Sequence, residues 1–121
     1  MVFQNIIFKH TNSQVSSSLQ AIAAQKLATL EKYTKGETDV KCEVEFERIV
    51  KHKSGDVCRA EANIWLSGVL FRAEATQATF ESAIDIVRDE LNQEMGKAHE
   101  KRNSLIRRGG RKIKDMVRFG S

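Results

Sequence analysis

The stretch Val40-Lys41-Cys42-Glu43-Val44-Glu45-Phe46-Glu47 alternates strictly between apolar and charged residues. Successive side chains of a strand point to opposite faces, so Val40, Cys42, Val44 and Phe46 share one face and Lys41, Glu43, Glu45 and Glu47 the other. Such a strand is covered on one side only. The rest of the chain must extend its apolar face sideways and then cover it.

The extension follows directly. A turn at His52-Lys53-Ser54-Gly55-Asp56 leads to a second alternating run, with Cys58, Ala60, Ala62, Ile64 and Leu66 inward and Arg59, Glu61, Asn63 and Trp65 outward. Neighbouring strands joined by a short loop pair most economically as an antiparallel hairpin. Folding about Lys53-Ser54 places Cys42 opposite about residue 65, roughly 20 Å from Cys58. That is too far for a disulfide, and both cysteines read as reduced core thiols. Trp65 is expected to pack cross-strand over long side chains, with stacking on a base as the alternative. Ser67-Gly68 then turns the chain into a further strand, Val69 to Ala75, with Phe71, Ala73 and Ala75 inward and Arg72 and Glu74 outward. Alanines at 60, 62, 73 and 75 leave room for a helix to approach closely.

Two helices can do so. Upstream, Val2 to Lys9 reads as a first strand with Ile6 and Phe8 on one face and Ile7 on the other. Ser17, three residues before Gln20, has capping-box spacing and opens a helix carrying Leu19, Ile22, Ala23, Leu27, Leu30 and Tyr33 on one side. It is expected to run to about Thr34 and stop near Gly36. Downstream, Thr79 is the expected N-cap of a helix whose Phe80, Ala83, Ile84, Val87, Leu91, Met95 and Ala98 repeat at three and four residues. Gly96 costs helix stability, about 1 kcal/mol relative to alanine, and predicts a loosening there. The order β-α-β-β-β-α predicts a two-layer α+β fold, a four-stranded sheet with two helices on one face, like double-stranded-RNA-binding domains. One domain over 1–103 is expected, followed by a basic, flexible extension over 104–121.

Charge divides the chain at the same place. From Lys97 onward nine basic residues face two acidic ones, a net of 9 − 2 = +7, while the residues before carry 11 − 14 = −3. So local an excess suggests a polyanion, nucleic acid first and anionic membrane second. The histidines, His10, His52 and His99, have no partner at metal-ligand spacing, and no phosphate loop or nucleophile motif is present. The expectation is therefore a binding protein and not an enzyme, with no cofactor, metal or small-molecule substrate. No apolar run reaches a membrane span and no signal peptide opens the chain, so a cytoplasmic location without a membrane partner is expected.

Two motifs carry a resemblance. Thr79-Phe80-Glu81-Ser82-Ala83-Ile84-Asp85, following Arg72-Ala73-Glu74-Ala75, is similar to the opening of the second helix in the ribosome hibernation-promoting factor and ribosome-associated inhibitor family, also called the sigma-54 modulation protein family. Lys26-Leu27-Ala28-Thr29-Leu30-Glu31-Lys32-Tyr33 is similar to that family's Lys-Leu-x-x-Leu-Glu-Lys-Tyr stretch. The resemblance covers about residues 4 to 103 and agrees in strand order. It implies a stationary-phase or stress protein bound to 16S ribosomal RNA of the small subunit, in the channel of messenger and transfer RNA. Whether ribosome dimers are also partners is left open, as is the choice between a short-type factor and the N-terminal piece of a long one.

Carried over by position, Lys26, Lys97 and Lys101 match basic positions of the family, and His99 and Arg102 are near-equivalents. Lys32, Arg107, Arg108, Arg111 and Lys112 complete the expected RNA-binding set. The chain departs from the family at Thr79, Glu81, Glu90 and Gln93, where an acid, a tyrosine and two basic residues are usual. The alternative reading is a protein-interaction regulator, a modulator of an alternative sigma factor that docks through the acidic outer face of the sheet.

Overall fold

The computed structural model describes residues 5–50, 55 and 57–107, with side chains as far as residue 103. Its elements are β1 (Ile7–Thr11), α1 (Ser17–Leu27), a 3-10 helix (Ala28–Tyr33), β2 (Lys41–Ile49), β3 (Val57–Leu66), β4 (Val69–Gln77) and α2 (Phe80–Arg107). The strands form one sheet in the order β1-β2-β3-β4. β1 runs parallel to β2 across the α1 crossover, and the other pairings are antiparallel. This is the expected two-layer α+β architecture, both helices lying on the apolar face.

The alternation of β2 and β3 decides which face that is. Cys42, Val44 and Phe46 are buried, as are Cys58, Ala60, Ala62, Ile64 and Leu66. In the hairpin Cys42 pairs with Ile64 and Lys41 with Trp65, one position from the expected register. Both cysteines are free and buried. Burial, and then the neighbouring Glu43 charge, push the Cys42 thiol up to about 12, so it is an inert core group. Of the expected turn at 52–56 only Gly55 is described, with a positive φ of 77°.

The four inward alanines meet as two cross-strand pairs, Ala60 with Ala75 and Ala62 with Ala73. Side chains this small let α2 lie close over β3 and β4, and its Ala83, Ile84, Val87, Leu91 and Met95 are all buried there. Thr79 caps α2, its Oγ1 accepting the Ser82 N–H at 3.1 Å. Phe80 meets Phe46 edge-on, with ring centres 5.2 Å apart.

Three local expectations are corrected. Residue 16, and not 17, caps α1: the Ser16 backbone is extended and its Oγ accepts the Leu19 N–H at 3.1 Å. The helix register is fixed by burying Ala23 and Leu27, and that leaves the first serine of the run at the cap. Next, the α-helix tightens to 3-10 after Leu27 instead of continuing to Thr34. A 3-10 helix has three residues per turn, so Leu27, Leu30 and Tyr33, spaced by three, stack on one line toward the core. Of the expected strand Val2–Lys9, residues 2–4 lie outside the described residues; β1 runs from Ile7 to Thr11, two residues past the expected end, and the faces are as read: Ile6 and Phe8 pack on the core while Ile7 is exposed.

α2 does not break at Gly96 but continues to Arg107. A Cβ at residue 96 would lie 3.2 Å from Tyr33 Oη, so the glycine is where α2 admits the tyrosine. The Tyr33 hydroxyl donates to Asn92 Oδ1 at 2.9 Å and ties the 3-10 helix to α2. Apart from helical backbone at 104–107, the expected extension over 104–121 lies outside the described residues.

Candidate nucleic-acid interface

The expected RNA-binding residues divide by helix face. Lys97 and Lys101 are one turn apart on α2 and both are exposed. Lys97 has Glu94 at 3.9 Å, with both side chains more than half exposed, so that contact contributes little and leaves the ammonium available. Among the described residues, no ion pair involves Lys101. His99 lies between them in sequence but about 200° around the helix from Lys97. Its ring meets Tyr33 edge-on at 5.7 Å. Lys32 caps the same tyrosine from the other element, its Nζ 5.1 Å from the ring centre. Lys32, Tyr33, Gly96, His99 and Glu100 thus line one shallow depression.

Two expected contacts are engaged inside the protein. Lys26 Nζ lies 2.5 Å from Asp85 Oδ1, bridging α1 to α2, and Arg88 approaches the same oxygen at 3.8 Å. Lys26 therefore meets α2 12 residues before Lys97, about 18 Å along the helix axis. The structure does not bring it into the Lys97–Lys101 face. Arg102 donates to Glu37 Oε1, while Ser67 Oγ donates to Glu37 Oε2 at 2.7 Å. This pair clamps the end of α2 to the loop before β2 and to the β3–β4 turn. Arg107 ends the described helix, and Arg108, Arg111 and Lys112 lie outside the described residues.

Sequence reading missed Glu37, Tyr33 and Asn92 as parts of this region. Only the helical spacing of Asn92 and Gly96 could have suggested Tyr33, and no sequence signal links Glu37 to Arg102 across 65 residues.

The opposite face of the sheet has a different electrostatic character. Arg59 sits at its centre with Glu61 at 2.6 Å, Glu45 and Glu47 each at 3.5 Å, and Glu74 in direct contact. Arg72 bonds Glu61 at 3.0 Å, and Lys9 and Lys41 flank Glu43 at 3.5 and 3.4 Å. The hydrogen bond to Glu74 above all raises the Arg59 pKa, against the cost of burial. Burial pushes the Glu61 carboxyl up, but hydrogen bonds from Arg59 and Asn63 and the charges of Arg72 and Arg59 outweigh it. The net effect holds that carboxyl below its ordinary value. Five glutamates, at 43, 45, 47, 61 and 74, stand among the four cations Lys9, Lys41, Arg59 and Arg72, a net of 4 − 5 = −1. The face is a self-neutralising ion-pair network. Trp65 packs on it with Lys41 Nζ 5.3 Å from its ring, the cross-strand arrangement expected for it.

Among the described residues no group of His, Cys, Asp and Glu could hold a metal ion, and no helix is long and apolar enough to cross a membrane. No curated protein matches the chain. The crystal structure of the Thermus thermophilus Protein Y N-terminal domain is similar, with a TM-score of 0.59 and 26% identity over 77% of this chain and 97% of that one. A ribosomal subunit interface protein from Coxiella burnetii shares the fold, with a TM-score of 0.61 and 17% identity over 78% of this chain and 97% of that one. The family model described as Sigma 54 modulation protein / S30EA ribosomal protein matches residues 5–103, which spans both helices and the whole sheet. On that match, with strand order and helix motifs in agreement, the chain belongs to the sigma 54 modulation protein / S30EA ribosomal protein family.

Proposed function

We propose that this protein is a cytoplasmic translation inhibitor of the hibernation-factor kind, acting by occupancy and without catalysis. It binds 16S ribosomal RNA of the small subunit through α2 and closes the channel of messenger and transfer RNA in stationary phase or stress. The observation that carries this reading is the available cationic face of Lys97 and Lys101, on a helix whose buried side runs to Met95 and which Arg102 then ties to Glu37. Fixed ammonium groups one turn apart can meet successive phosphates, and contacts of that kind recognise backbone shape and not sequence. Lys32, over the Tyr33 ring, adds a cation at this end of α2, and further basic residues follow in sequence from Arg107.

Binding through phosphates releases counterions, so affinity for purified small subunits is expected to fall linearly on a log–log plot against salt. Each phosphate neutralised contributes a slope of roughly 0.7–0.9. A filter-binding titration between low and moderate salt measures it, and a flat profile contradicts the proposal. The sigma-factor alternative requires an acidic docking face, and the outer sheet face, with its charges paired internally, gives that reading little support.

A further inference from the structure

Where the 3-10 helix, the loop before β2, the Ser67-Gly68 turn and the last third of α2 converge, they enclose a cleft of about 200 Å³. Leu66, Phe71 and Met95 form its apolar floor, the Tyr33 and His99 rings stand in its walls, and the Glu37–Arg102 pair lies at its mouth. We infer that this cleft takes one unstacked nucleobase of the bound RNA, a reading that rests on the RNA partner proposed above.

Size, charge and surroundings agree on that occupant. A cavity of about 150 Å³ is enough for benzene, so this one has room for a base but not for a folded peptide side. Its two ionised groups cancel, which makes the interior a poor phosphate site and a suitable one for a flat, neutral ring with polar edges. Aromatic walls offer stacking, the usual way a splayed base is held. Glu37 supplies direction: its carboxylate is pinned by Arg102 and by Ser67, whose Oγ accepts the Thr38 N–H at 2.9 Å. Each carboxylate oxygen keeps a further lone pair, so a base presenting N–H donors fits best, and guanine presents two side by side. Val69, 56% exposed at the rim, would be covered by such a base. Lys32 stands over the Tyr33 ring, 5.1 Å from its centre, where a phosphate flanking an inserted base could be met.

The test uses the full chain, labelled with nitrogen-15, and two probes, guanosine 5′-monophosphate and ribose 5-phosphate. At about 10 mM, guanosine monophosphate is expected to move the amide signals of Val69, Phe71 and Ala98, and ribose 5-phosphate is not. Ala98→Phe and, separately, Val69→Trp fill the cleft and are expected to weaken that response about tenfold, the worth of one stacked base, while the spectrum stays dispersed. The double variant Lys97→Glu/Lys101→Glu is expected to keep the nucleotide response even where ribosome binding is lost, so failure of the cleft and failure of the ribosomal reading are seen separately. Absence of movement at these amides overturns the inference. So does equal movement with ribose 5-phosphate, or an unchanged response in both filled variants.

Discussion

Arg59 sits at the centre of the outer face of the sheet, touching Glu45, Glu47, Glu61 and Glu74. Replacing it by alanine leaves four carboxylates facing one another with only Arg72, Lys9 and Lys41 nearby. Solvent reaches Glu74 and Glu47, which screens the repulsion, so a loss of about 1–2 kcal/mol is expected in urea unfolding. The same network makes stability depend on acid. The Glu61 carboxyl lies below its ordinary value in the folded protein, so its contribution is complete above the unfolded-state value and disappears as pH falls through the folded one. The melting temperature is therefore expected to drop as pH falls below about 4, and to drop less in Arg59→Ala. Gly96 is a second informative residue. Alanine there ordinarily gains about 1 kcal/mol of helix stability, but its methyl would meet Tyr33 Oη at 3.2 Å. Gly96→Ala is expected to gain less than that amount in the native protein, and to recover the full gain in a Tyr33→Phe background. Equal gains in both backgrounds would show that the tyrosine does not constrain this position.

At the scale of elements, the sheet was legible because period-two alternation survives any tertiary context that covers one face. Val40 to Phe46 and Cys58 to Leu66 place each residue correctly, and the hairpin register misses by only one position because its loop length is ambiguous. What was hidden is of two kinds. The switch to 3-10 after Leu27 depends on a spacing of three that is also compatible with an α-helix, so only packing decides it. The run Ser16-Ser17-Ser18 offers three equivalent caps, and burial of Ala23 and Leu27 selects among them. The exposed placement of Lys97 and Lys101 one turn apart was legible from helical spacing and charge. The engagement of Lys26 by Asp85 and of Arg102 by Glu37 was not, since both pairs join residues far apart in sequence. α2 presents Lys97 and Lys101 on a helix whose buried side runs from Ala83 to Met95 and which is tied to Glu37 at Arg102. Leu91, fully buried midway along it, is expected to cost about 2–5 kcal/mol as Leu91→Ala by chemical denaturation, and a cost below 1 kcal/mol would mean that α2 is not docked as described.

At the scale of the molecule, charge and packing are segregated. The outer sheet face cancels its own charge, the layer between sheet and helices is apolar, and the positive excess from Lys97 onward is concentrated at the end of α2 and beyond. On the proposed function, that partition orients the protein on its polyanion, since the positive end is attracted and the rest is not. The most direct test of the account is co-sedimentation of purified small ribosomal subunits with the Lys97→Glu/Lys101→Glu variant, alongside the native protein, with folding checked by circular dichroism. The account predicts that the native protein sediments with the subunits and the folded variant remains in the supernatant. A folded variant that sediments as well as the native protein would contradict it.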